Sequence, residues 1–371
     1  MSRIAVLLVA ALLAAAPATH APAAEKPKLP ILVPITGFLA LEGTSQRNGA
    51  LLAIEVSGLE IEAEVIDTQT SPEVALTALE RALRDQPIAV VGPILGTQML
   101  ALIPRASEAK VPLLTISGTA QITELGSDYV FRFFPGDAVV KRAQARYAVE
   151  ELHAKRPAIL YQTTAYGQSG RAHLIEQFKS MGAEVVYEEG VAPTAKDLTP
   201  ALSKALAAKP DVLILHLHAP STALAIRQAR ALGARLPIVA GSAMHQPQTA
   251  ALLEPAELAG VCAESGSSPL SGGSPAMDAF AQAYRARFGT EPDAFAAAQY
   301  DGTGMALAAI RAGVDTPAEL REHLAAFTYE GVAMTYRSDG KGNMAHDAVI
   351  LCYDGRTRTP ELVKRYEGAA G

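Results

Sequence analysis

The chain contains no Trp, and aromatic residues make up only 5% of its 371 positions. Any aromatic side chain that reaches a cleft therefore stands out as a contact of consequence. Cysteine is nearly as scarce, with two residues, Cys262 and Cys352, in apolar strand-like runs at 259–263 and 348–353. That count excludes a disulfide scaffold. In an oxidising compartment the two can pair, and a bridge or two buried thiols are both compatible with the sequence. The apolar run at residues 4–16 is too short to span a bilayer as a helix, and no run in the rest of the chain is long enough. No basic stripe is present to bind nucleic acid. Nor is there a P-loop, H-E-x-x-H or G-x-S-x-G motif. Ser107 and Lys110 match S-x-x-K without the motif's partners, which reads as coincidence at a helix end.

The first 23 residues have the form of a secretory leader. Arg3 gives the positive start, residues 4–16 are apolar, and Ala21-Pro22-Ala23 fits a small-x-small cleavage site. No Cys follows the cleavage site, so lipid anchoring is not expected. The net charge of −6 would become −7 when Arg3 leaves. The expected location is the periplasm, in free form.

The rest alternates between short apolar runs and amphipathic segments. Strand-like runs fall at 31–34, 61–66, 88–91, 111–116, 158–161, 185–186, 212–217 and 238–240. A helix starts at Ser71-Pro72-Glu73, with an N-cap, a Pro at N1 and an early acid. Apolar residues then recur at Val74, Leu76, Leu79 and Leu83. Strand–helix alternation predicts doubly wound, mainly parallel sheets, and the strand number fits two lobes better than one. Residues 88–125 hold one such unit, with Gly92-Pro93 after one strand and Ser117-Gly118-Thr119 after the next. Ligands of such folds bind beyond the carboxyl ends of the strands.

These features carry a family resemblance. Gly92-Pro93, Pro104, residues 110–114, Ser117 to Gln121, Glu124-Leu125 and Tyr129-Val130-Phe131-Arg132 occur in order. Ile35-Thr36-Gly37, Asn48-Gly49-Ala50, Tyr166-Gly167, Arg227 to Arg230 and Tyr300-Asp301-Gly302 complete the set. Together they resemble the leucine/isoleucine/valine-binding family of periplasmic solute-binding proteins, which feed ABC importers. The resemblance implies a type I two-lobe α/β fold with three crossover strands. Lobe one would hold residues 30–136 and 268–346, and lobe two 137–267 and 347–371. It implies a small-molecule ligand, a membrane permease as partner, a monomer, and neither catalysis nor a cofactor.

It also implies where the ligand sits. Amino-acid binders of the family use a Ser in the first loop and a Thr in the second. Here the Ser position falls on Gly96, beside Leu95 and Thr97, and the Thr position on Gln121, after Thr119 and Ala120. A hydroxyl from Thr97 and backbone donors at Gly96 and Ala120 are the remaining anchors. In lobe two the family's Tyr is kept as Tyr166. The acid that pairs with a ligand ammonium would lie in 241–244, around Ala243, where no acid occurs. An ammonium taken into a closed cleft without an anionic partner is costly. The expected ligand is therefore a small carboxylate, aromatic or not, rather than an α-amino acid. The alternatives are an amino-acid binder with a rearranged ammonium site, or a sensing protein. Glu42 stands where the family often has an aromatic and is a candidate cleft residue able to meet a ligand cation, with a solvated loop acid as the plainer reading. His218 falls near a cleft-facing family Tyr and is read as a ligand contact, His216 as a core histidine. Phe295, with Phe38, Leu39 and Leu95, is expected to form an apolar wall. His216, His218 and a later His245 give only a weak metal signal, and no metal is expected.

Overall fold

The computed structural model describes residues 26–270 and 274–368. The expected leader lies outside the described residues.

Five short strands form the first sheet: β1 (Ile31–Val33), β2 (Val65–Asp67), β3 (Val90–Val91), β4 (Leu113–Thr115) and β5 (Val130–Arg132). All pair in parallel, in the order 2-1-3-4-5. Helices α1 (Ala40–Ser57), α2 (Pro72–Arg84), α3 (Gly96–Ala109) and α4 (Gln121–Glu124) connect them. β1, β3 and β4 are buried throughout, which explains why they read as unbroken apolar runs. At the start of α2 the Ser71 hydroxyl accepts from Val74 N–H at 3.3 Å, with Pro72 at the first helical position, as the sequence predicts.

The second lobe begins with α5 (Asp137–Arg146), which runs into a π-helical turn. Then come β6 (Pro157–Gln162), α6 (Ala165–Ser180), β7 (Tyr187–Val191), α7 (Thr199–Ala207), β8 (Val212–His216), α8 (Ala219–Ala231), β9 (Ile238–Ala240), α9 (Pro247–Ala250) and β10 (Val261–Ser265). α10 (Pro275–Phe288), α11 (Ala294–Arg311) and α12 (Pro317–Ala326) follow, with a small hairpin of β11 (Tyr329–Glu330) and β12 (Thr335–Tyr336). β13 (Ala348–Cys352) and β14 (Glu361–Tyr366) then join the second sheet, whose order is 14-13-10-9-8-6-7. Both last strands pair antiparallel. The strand expected at 185–186 lies at β7 instead, where pairing with β6 selects Tyr187 to Val191.

The chain leaves the first sheet after Arg132, leaves the second after Ser265, and re-enters it at Ala348. Two of these crossings run side by side: a Cβ on Gly266 would lie 2.8 Å from the Pro135 ring. α1 and α11 meet backbone to backbone, since a Cβ on Gly49 would lie 2.2 Å from the Ala296 carbonyl oxygen. Asn48 donates to the Tyr284 hydroxyl at 3.1 Å. The Asp301 carboxylate accepts from Val332 and Ala333 N–H, both at 2.8 Å, and so fixes the loop between β11 and β12. Asn48-Gly49-Ala50 and Tyr300-Asp301-Gly302 thus serve packing.

Cys262 and Cys352 are directly opposed across β10 and β13 and form a disulfide. It closes a sequence separation of 90 residues and ties the returning strand to the rest of its sheet.

Candidate ligand-binding cleft

The carboxyl ends of the strands of both sheets converge on one cavity. From lobe one come Leu39 and Glu42, Ile94 and Leu95 before α3, Ile116 and Gly118 after β4, Phe134 after β5, and Phe295 in α11. Lobe two contributes Tyr166, His218, Ser242 and Ala243. The empty volume is about 400 Å³ including the mouth. Most of the wall is apolar, and neither Lys nor Arg lines it.

Of the residues expected from sequence, Glu42, Leu95, Tyr166, His218, Ala243 and Phe295 meet here. Leu39 lies with them, and Phe38 packs on the His218 ring at 5.4 Å. Gly96, Thr97, Thr119 and Ala120 adjoin the lining residues Leu95 and Gly118 without being among those that line the cavity. A Cβ on Gly96 would lie 1.9 Å from the Thr119 hydroxyl oxygen. The space a serine at 96 would need is therefore filled by the Thr119 hydroxyl, which is buried with no hydrogen-bond partner. Gln121 is exposed at the start of α4 and does not line the cavity, which corrects its expected role. It begins the short helix, and Thr119, two residues earlier, turns inward.

Two further anchors differ from expectation. Ala120 N–H donates to Ser169 Oγ at 3.0 Å, and Thr97 Oγ1 accepts from Ala165 N–H at 3.3 Å. Both bonds join lobe one to lobe two, so these groups hold the lobes together rather than face the cavity. A third such bond involves Glu42, whose Oε1 accepts from Ala219 N–H at 2.8 Å.

Glu42 is not a solvated loop acid. It sits in the first turn of α1, is 2% exposed, and its Oε2 has no partner. Burial pushes its pKa up to about 7, against the Ala219 hydrogen bond. Burial also pushes His218 down to about 3 and Tyr166 well above its usual value. The His218 Nε2 pairs with the Thr164 hydroxyl at 3.2 Å, and its ring stacks on Tyr166 at 5.4 Å. His216 is a buried core residue whose Nε2 meets the Tyr166 carbonyl oxygen at 2.9 Å. His245 accepts from Ala294 N–H at 3.0 Å and packs against Phe295. Among the described residues no group of three or more His, Cys, Asp or Glu is placed to hold a metal ion.

Beneath the cavity lies a layer of charge that the sequence reading missed. Lys141 and Glu264 form an ion pair at 2.5 Å, both side chains fully buried. Glu264 accepts from the Ser242 hydroxyl at 2.9 and 2.7 Å. Asp137 is buried beside them, with its pKa raised to about 7 by burial. On the lobe-one side, Arg132 donates to the carbonyl oxygens of Ser117, Gly118 and Thr119 at 3.4, 3.3 and 2.7 Å. It fixes the loop that carries Thr119. One signal was available: Glu264 is the single charge in an otherwise apolar or small strand, a position where burial demands a partner.

A sequence profile of periplasmic binding proteins matches residues 26–356. The chain belongs to the periplasmic binding protein family. This periplasmic binding protein is 26% identical over 218 residues to the leucine-, isoleucine-, valine-, threonine- and alanine-binding protein of Pseudomonas aeruginosa. That match spans 57% of this chain and 58% of the relative's length. Among solved structures it resembles the branched-chain amino acid transporter substrate-binding protein LivJ of Streptococcus pneumoniae in complex with isoleucine. There the identity is 26% and the TM-score 0.83, covering 92% of this chain and 100% of that one. It also shares its fold with a solute-binding protein of an ABC transporter from Rhodopseudomonas palustris in complex with 3,4-dihydroxybenzoic acid. That likeness has 23% identity and a TM-score of 0.83, over 92% of this chain and 98% of the other.

Proposed function

We propose that this periplasmic binding protein is the solute receptor of an ABC importer, and that its ligand is a small carboxylate with an apolar or aromatic body. The observation that carries this reading is the state of the polar lining groups. His218 and Tyr166 are neutral at pH 7, Ser242 is uncharged, and burial holds Glu42 halfway to neutrality. A ligand ammonium would meet no fully ionised partner there. A carboxylate has a fitting place near Gly96. α3 starts there without a side-chain cap, the Thr119 hydroxyl is unpartnered, and the Arg132 charge lies behind the loop. Leu39, Leu95, Phe134 and Phe295 would enclose the body. A relative of the same fold holding a dihydroxybenzoic acid supports the size and class.

In the same reading, residues 1–23 direct export and are removed, and the protein works in the periplasm as a free monomer beside its permease. It binds its ligand without turning it over.

The unpartnered Oε2 of Glu42 favours one second reading, an α-amino acid whose ammonium pairs with Glu42. The two readings differ in the sign of proton linkage. A bound carboxylate raises the Glu42 pKa, so binding takes up protons and affinity falls as pH rises through 7. A bound ammonium lowers it, and affinity rises over the same range. Calorimetric titration from pH 6 to 8 reads the sign directly. Affinity that rises with pH contradicts the carboxylate reading.

A further inference from the structure

Ser242 stands on the cavity wall with its only hydroxyl proton already committed. The proton points to Glu264, whose two carboxylate oxygens lie 2.9 and 2.7 Å from Oγ. On its other side Glu264 is paired with Lys141, whose Nζ lies 2.5 Å from its Oε1. Lys141 is held in its turn. It donates to Gln144 Oε1 at 3.1 Å, and Gln144 donates to the Val239 carbonyl oxygen at 2.9 Å. The chain of bonds is thus anchored in the backbone of β9, and its direction is fixed by two buried charges.

A hydroxyl offers one proton and two lone pairs. With the proton turned away from the cavity, Ser242 meets a ligand only as an acceptor. The flanking lining residue, Ala243, adds no polar side chain. A ligand group against this wall that is itself only an acceptor faces an oxygen lone pair, whereas a donor adds a bond to those Ser242 already makes with Glu264 and the neighbouring Tyr166 phenol.

Resting on the carboxylate reading above, we propose that the ligand carries a neutral hydrogen-bond donor, a hydroxyl, against Ser242, so that the site selects hydroxylated carboxylates over their unsubstituted counterparts. Glu264 and Lys141 are positioning residues that set this preference without touching the ligand.

The test is calorimetric titration of the mature protein with matched ligands. The aromatic set is benzoate, 3- and 4-hydroxybenzoate, 3,4-dihydroxybenzoate and 4-methoxybenzoate, which keeps an oxygen but lacks the proton. The aliphatic pair is 4-methylpentanoate and its 2-hydroxy counterpart, and leucine and isoleucine complete the panel. At least one hydroxylated ligand should bind about tenfold or more tighter than its unsubstituted partner, and 4-methoxybenzoate should not share the gain. Ser242→Ala should reduce that preference, read as the ratio of the two affinities, to about twofold or less. Glu264→Gln places an amide donor beside Ser242 and lets its proton turn to the cavity, so methoxy should gain on hydroxy. Because Glu264→Gln leaves Lys141 without its carboxylate, the melting temperature is recorded, and Ser242→Ala decides the matter where that variant fails to fold. Equal affinity of hydroxylated and unsubstituted carboxylates overturns the proposal and leaves the carboxylate reading standing. Binding of leucine or isoleucine with none of the carboxylates, or binding of none of the panel's carboxylates, overturns both.

Discussion

Glu42, in the first turn of α1, accepts a hydrogen bond at 2.8 Å from the backbone N–H of Ala219, the first residue of α8 in the other lobe. One carboxylate oxygen thus joins the lobes at the cavity wall, and the other is left without a partner. Burial raises the pKa from 4.5 to about 7, and the Asp293 charge adds a smaller push the same way. His218, held neutral, and Tyr166, held protonated, are the other titratable groups lining the cavity. A carboxyl whose folded pKa is raised contributes most to stability below its unfolded pKa. That contribution is lost as pH rises through the folded value. A shift from 4.5 to about 7 is worth roughly 3 kcal/mol at full ionisation. Glu42→Gln should therefore flatten part of the decline in melting temperature between pH 5 and pH 8. The wild-type and variant melting curves, recorded across that range, check it; parallel curves would show that Glu42 does not titrate there.

Ala243 lines the cavity and is 4% exposed. An Ala243→Glu substitution puts a negative charge beside the ligand, where few solvent molecules screen it. Affinity for a carboxylate should fall by more than about tenfold. Comparison of dissociation constants for wild type and variant measures this, and a change under twofold would place Ala243 outside the binding site.

Arg132 holds the loop of Thr119 through three carbonyl oxygens, and also donates to Thr123 Oγ1 and Asn343 Oδ1, each at 3.0 Å. A lysine has three donors on a point charge and does not span this planar set. Arg132→Lys should cost about 2–4 kcal/mol in stability, by the loss of buried charge-assisted bonds. It should also weaken ligand binding, since the loop behind the cavity loosens. Urea unfolding and titration on the same sample check both; stability unchanged within 0.5 kcal/mol would remove Arg132 from this role.

The disulfide between Cys262 and Cys352 closes a sequence separation of 90 residues. Loop-closure entropy for that length is about 4–5 kcal/mol, and measured losses on removing native bridges run about 2–5. Cys352→Ser, or reduction of the wild type, should lower unfolding stability within that range. Equal midpoints in the presence and absence of reductant would contradict it.

The layered architecture was legible because parallel strands buried on both faces leave unbroken apolar runs such as Ile31 to Val33. The start of α2 was legible because Ser71 and Pro72 act locally. What escaped is what depends on distant partners. β7 took its place from pairing with β6, and nothing in residues 185–191 alone decides between registers. Thr119 replaced a serine at position 96 by filling the same space from another loop, which a count along the chain does not reveal. Glu42 looked like a solvated acid because its burial comes from the opposite lobe. Ser242 gives no signal of its own within 241–244, because its meaning depends on Glu264 and Lys141, 22 and 101 residues away in the chain.

The central claim is that the cavity takes a carboxylate lacking an ammonium, and a thermal-shift screen of the mature protein tests it most directly. One plate carries amino acids, the other aliphatic and aromatic carboxylates. A ligand that binds only the folded state raises the melting temperature by mass action, by about 2.7 kcal/mol of added stability at a hundredfold excess over Kd. The account predicts stabilisation by carboxylates, hydroxylated ones foremost, and none by leucine, isoleucine or valine. Stabilisation by those amino acids alone would contradict it.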